Sequence, residues 1–198
     1  MRGFACMIGQ DQYRYGGVFM TNFKRNDPWL SLCGLNCGLC SMHLGGHCGG
    51  CGFGNQSCKI ARCSIERGGV EYCSQCGQYP CSRYDGIDQF DSFITHQNRS
   101  ANLKRIGEIG TEAYQREQME KAKLLDVLLS GYNDGRRKTL FCLAVNLLEI
   151  SELERILQET DDRYKGTEAT LKEKASGIAE LLHASAKERN IVLKLRKK

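Results

Sequence analysis

The sequence predicts a mainly α protein in which an irregular, cysteine-rich module precedes a helical, bundle-like region. Three observations predict it. Ten of the twelve cysteines and eleven of the 22 glycines fall between Cys33 and Cys81. Beyond the last of them, apolar residues recur at spacings of three and four, the mark of amphipathic helices, and no segment alternates convincingly with period two. A chain of 198 residues with 41% hydrophobic and 26% charged residues has the composition of a globular protein of one domain or two small ones. The expected division is a leader at 1–32, partly disordered, a cysteine-rich metal-binding module at 33–82, and a helical region at 83–198.

Taken in order, residues 1–19 carry little pattern and read as an extension, and Thr21 to Asp27 form a polar lead into the module. A first helix is expected from Ile87, where Ile87, Phe90, Phe93 and Ile94 recur at helical spacing behind a Ser82/Asp85 cap pair. A second runs from Glu112 to Ser130, with Met119, Ala122, Leu125, Leu128 and Leu129 on one stripe and Gly131 as its stop. Asn133-Asp134-Gly135 is a turn. The run from Leu140 to Leu153 is apolar around most of its girth and should be the core helix. The last helix is expected from Thr167 to Glu188, with Leu171, Ala175, Ile178, Leu182 and Ala186 on one side and Gly166 just ahead.

The formal net charge of +5 resides in the last twelve residues, where six basic side chains stand against Glu188, and the rest of the chain is balanced. That distribution argues against a nucleic-acid partner, which would call for a basic face, and reads instead as a solvated helix end. The apolar stretch from Phe4 to Ile8 is too short for an export signal, and Leu140 to Val145 falls far short of a membrane span. A cytoplasmic protein is expected. Thiols stay reduced in that compartment, so a dense set of cysteines points to metal or redox chemistry before disulfides.

The set is Cys33, Cys37, Cys40, Cys48, Cys51, Cys58, Cys63, Cys73, Cys76 and Cys81. Cys37/Cys40, Cys48/Cys51 and Cys73/Cys76 share the two-residue spacing that lets both thiolates of one tight turn reach the same ion. Glycines beside them let backbone amides turn toward sulfur. Ten buried free thiols acting as small hydrophobes would need an apolar background, and this stretch is glycine-rich and polar. Two four-cysteine zinc sites are therefore expected, with two thiols over. The first grouping to consider joins Cys48/Cys51 with Cys73/Cys76, leaving Cys37 and Cys40 to meet two of Cys33, Cys58, Cys63 and Cys81; an interleaved arrangement is the alternative. His43 and His47 are reserve ligands for a third site. An iron–sulfur cluster is the competing cofactor, since thiolates alone can hold one. The Cys33, Cys37, Cys40 spacing matches the triplet of radical enzymes, but the chain has neither the length nor the alternating strands of their barrel.

On Cys33-Gly-Leu-Asn-Cys37 with Cys40, Cys48-Gly-Gly-Cys51, Cys58-Lys-Ile-Ala-Arg-Cys63, Cys73-Ser-Gln-Cys76, Tyr79-Pro80-Cys81 and the run from Asn102 to Gly110, the chain resembles the cysteine-rich bacterial and archaeal family catalogued as domain of unknown function 3795. The resemblance covers residues 33 to 118. It implies zinc binding and carries no activity.

Elsewhere catalytic signals are poor. Cys6 lies in the leader and Cys142 on the most apolar helix, where a packed thiol is inert. His96 and His183 have no neighbouring carboxylate pattern, and Gly45 to Gly54 lacks the context of a phosphate loop. The expectation is a binding or scaffold module for an unknown protein or small ligand rather than an enzyme.

Overall fold

A computed structural model of the chain describes residues 23, 25–27, 29–53 and 57–198. It is mainly helical, and no strand occurs among the described residues. The helices are α1 (Ser41–Leu44), α2 (Lys59–Glu66), α3 (Arg99–Ile109), α4 (Thr111–Gly131), α5 (Lys138–Leu147), α6 (Ile150–Tyr164) and α7 (Leu171–Glu188), with 3-10 turns at Cys37–Leu39, Cys73–Gln75 and Ser82–Tyr84. The leader expectation for residues 1–22, Cys6 included, lies outside the described residues. Its described end is packed: Asp27 and Leu30 are buried, as is the following Leu32.

The main core joins α4, α5, α6 and α7. Leu125 and Leu128 of α4, Phe141 and Val145 of α5, Leu153 and Ile156 of α6, and Ile178 and Leu182 of α7 are almost wholly buried together. Each such side chain contributes about 1.5–3 kcal/mol on transfer from water. The same core takes in Leu39 from the cysteine segment. A second cluster mixes the two regions further, with Leu30 and Tyr72 packed on Leu103, Ile106 and Tyr114 of α3 and α4. The change of element type near residue 83 therefore separates two kinds of local structure that share their packing.

Five expectations about the elements need correction. Residues 87–98 form no helix. Asp91 N–H donates to the Arg196 carbonyl at 2.8 Å, while the Asp91 carboxylate accepts from His96 N–H at 2.6 Å and from Arg196 N–H at 2.8 Å. These long-range bonds fix an irregular course, leave Phe90 and Phe93 exposed, and bury only Ile94 of the predicted stripe. Helix α3 begins instead at Arg99. The run from Leu140 to Leu153 is two helices, because Leu148 and Glu149 turn extended and Glu149 N–H is capped by Glu152 Oε2 at 2.9 Å. The corner lets both pieces lie on one core. Met119 is 54% exposed, and Tyr114 takes the buried place toward the start of α4. The basic tail is no helix end: α7 stops at Glu188, Leu193 returns to the core, and Arg196 is pinned to Asp91. Helix α7 also starts later than Thr167, where Thr170 and Glu173 form a capping box with Thr170 N–H to Glu173 Oε2 at 2.8 Å.

Candidate functional site

The cysteine segment is fastened to the helices from below. Gly34 adopts φ +94°, and a Cβ there would lie 2.5 Å from the Arg99 carbonyl oxygen, so only glycine suits the loop between Cys33 and Cys37. Asn102 Nδ2 donates to the Gly34 carbonyl at 2.8 Å, and Tyr114 Oη donates to Asn36 Oδ1 at 2.8 Å. Asn36 in turn reaches Asn146 of α5. Asn102, Asn146 and Tyr114 thus hold the loop, and Asn98 Nδ2 braces them from behind by donating to Asn102 Oδ1 at 3.3 Å and to the Asn146 carbonyl at 2.8 Å.

The ten cysteines form two neighbourhoods that meet at Cys33 and Cys58. All eleven described cysteines are free thiols. In the first neighbourhood, burial pushes the Cys37 thiol well above its ordinary value, and Cys51, Cys33, Cys40 and Cys48 add to the effect as near neighbours. The turn at Cys37–Leu39 closes with Cys40 N–H on the Cys37 carbonyl at 3.0 Å, and Gly50 N–H points at Cys48 Sγ at 3.4 Å. That is the use of glycine the spacing suggested. In the second neighbourhood, Cys58, Cys63, Cys73, Cys76 and Cys81 line one cavity of about 770 Å³. Cys76 N–H bonds to the Cys73 carbonyl at 3.0 Å, in the same manner as the first turn. Burial pushes Cys73 up to about 11, with Tyr84 working against it and Cys33, Cys81 and Cys63 with it. Among the described residues, no three His, Cys, Asp or Glu side chains stand close enough together to hold a metal ion. In kind, soft thiols in paired turns suit a thiophilic metal; in position they are neighbours that have not closed into a coordination shell.

This partition differs from the first grouping the spacing suggested. Cys48/Cys51 stand with Cys37/Cys40, and Cys73/Cys76 with Cys63 and Cys81. The short link through α1 folds the chain back locally, and closing so short a loop costs less entropy than closing the longer one from Cys51 to Cys73. Cys33 and Cys58 lie between the sets. Cys51 feels both, Cys73 feels Cys33, and these four sulfurs surround Leu32, Ile60 and Ala61.

His43 packs its ring against Trp29 and shares its Nδ1 with the Cys48 carbonyl at 2.9 Å, while His47 is exposed. Cys142 is buried on α5 and its thiol is pushed up to about 12, by burial first and then by neighbouring Cys40. His96 is held near the Ile87 carbonyl and His183 lies exposed on α7.

Three residues that the sequence did not single out complete the picture. Arg25, with a side chain 1% exposed, directs Nη1 at Cys51 Sγ from 4.0 Å. Arg67 is drawn to Cys63, which holds its guanidinium above its ordinary value, with Cys76 and Cys81 nearby. Tyr84 has a buried hydroxyl without a conventional partner, and burial and Cys73 both push it upward. Arg67 was legible, since it follows Cys63 by one helical turn. Nothing in the polar lead marks Arg25.

Fold and site together define a cysteine-rich, mainly α protein with two thiol clusters. No family model, no curated protein and no solved structure matches the chain.

Proposed function

We propose that the chain is a metal-binding protein in which Cys37, Cys40, Cys48 and Cys51 hold one zinc ion and Cys63, Cys73, Cys76 and Cys81 a second, as structural centres of a cytoplasmic binding or scaffold module. The observation that carries this reading is the grouping of eight of the ten cysteines into two neighbourhoods, the first with two two-residue turns and the second with one, and each faced by an arginine. Zinc bound by four thiolates is closed to substrate, so the centres brace the fold and the partner, a protein or small ligand, binds elsewhere. The absence of any long apolar helix among the described residues is compatible with this reading.

A second reading has one observation in its favour. The second neighbourhood surrounds a cavity of about 770 Å³ with five sulfurs, which gives room for an iron–sulfur cluster as well as for a single ion. Anaerobic purification followed by elemental analysis, sulfide assay and an absorption spectrum separates the two. About two zinc ions per chain and no colour support the first. Iron with acid-labile sulfide supports the second, and folded protein without any metal ends both.

A further inference from the structure

We infer that Arg25 is the counter-charge of the first thiol group, with Glu71 setting how much of its charge that group receives; the inference rests on the metal-binding reading. Arg25 is almost wholly buried, yet only part of its guanidinium is satisfied. Nη2 donates to the Leu30 carbonyl at 2.8 Å and pairs with Glu71 Oε1 at 3.2 Å. The group lies over the Tyr72 ring at 5.4 Å. Nη1 faces Cys51 Sγ at 4.0 Å, and Nε is buried with no partner at all. Burying a cation this way is costly unless negative charge stands beside it.

Glu71 supplies some of that charge, but it is 22% exposed and also accepts from Asn26 and Asp27 N–H at 3.2 and 3.0 Å. Its negative charge is therefore divided and partly screened. The remaining face of Arg25 is turned to sulfur. Four thiolates around a divalent ion carry two net negative charges, and in a buried setting the guanidinium offsets part of them. At the second group the cation is Arg67, which faces Cys63 and is exposed and screened by water.

The test is competition of the purified, metal-loaded full chain against a chromophoric zinc chelator, with circular dichroism as a check on folding. Arg25→Met should weaken retention of one of the two zinc ions about tenfold, the loss of one charge-assisted contact, and leave the other unchanged. Arg25→Lys should fall between. Glu71→Gln keeps an acceptor for Asn26 and Asp27 while freeing Arg25, and should tighten retention of the same ion. Opposite signs for Arg25→Met and Glu71→Gln are the signature of charge compensation. A purely structural contact would weaken retention in both, and that result overturns the inference. So does retention by Arg25→Met equal to the unsubstituted chain while the metal-binding reading stands. A chain that carries no metal overturns both.

Discussion

The two thiol groups are made from the same turn and set in opposite surroundings. The first stands against the main core: Leu39, one residue from Cys40, is buried in the core at a turn packed on α4 and α5, and Cys142 of α5 neighbours Cys40. Its cation, Arg25, is interior. The second rims an open cavity, its cation Arg67 is exposed, and its walls are α2 and the loop carrying Tyr79, Tyr84 and Ile87. One local motif can thus serve two ends. In the first group any metal would anchor packing shared with the helices, and in the second it would organise mostly its own loop.

Losing one thiol from either group tests that contrast most severely. Cys37→Ser and Cys76→Ser should each lower zinc content by about one ion per chain. Binding energies of roughly 10–16 kcal/mol for a whole thiolate site make either loss severe. Their consequences should differ, because only Cys37 opens the turn that seats Leu39. Thermal unfolding followed at 222 nm should show a large drop for Cys37→Ser, and for Cys76→Ser a nearly normal helical transition with raised proteolysis of residues 57–86. Equal losses of helix stability would erase the distinction.

Leu39→Ala separates packing from ligation. Removing a side chain 1% exposed from the main core should cost about 2–5 kcal/mol in urea unfolding. Zinc retention at the first group should weaken with it, since the turn from Cys37 to Cys40 would lose its seat. An unchanged stability would show that Leu39 contributes no packing energy there. Cys142→Ser comes next. A hydroxyl in place of this buried thiol should cost roughly 1–3 kcal/mol without changing the zinc count, as its sulfur belongs to neither set. Loss of an ion would place Cys142, the neighbour of Cys40, among the ligands.

How much of this was legible in the sequence follows from the range of the forces involved. Helices α4 and α7 were readable because their stripes are local, and the paired cysteine turns because two residues of spacing suffice to define them. The stretch from Ile87 to Ile94 misled, since its helical pattern yields to Asp91 bonds with a tail more than a hundred residues away. The split at Leu148 was hidden by an apolar run that continues on both sides of it. Which cysteines share a neighbourhood depended on the path of the chain through α1, and spacing between pairs does not encode that path. Arg25 was invisible because its burial is made by Leu30, Glu71 and Tyr72, none of which flags an arginine.

A weaker contribution comes from the clamp behind the second group. Asp91 joins the 87–98 segment, whose Ile87 lines the cysteine cavity, to Arg196 of the tail, with Arg196 Nη2 at 2.9 Å from Asp91 Oδ1. Burial works to raise the Asp91 carboxyl, but the side-chain and backbone bonds from Arg196 and the bond from His96 N–H outweigh it and hold the group below its ordinary 3.8. A carboxyl depressed on folding adds stability that is complete above its unfolded value and disappears as pH falls through the folded one. Because Arg196 is 41% exposed, the share is small, about 1 kcal/mol. Asp91→Asn should therefore be about that much less stable than the unsubstituted chain at pH 7, with the gap closing as pH drops below 4. Urea unfolding of both proteins at several pH values reads the gap directly, and common losses from other carboxylates cancel in the difference. The zinc count at pH 7 should not change, while alkylation of the thiols around the second cavity should quicken. A gap independent of pH would mean that the clamp acts through shape alone, and unchanged alkylation would mean that the second group is held by its own loop without help from the tail.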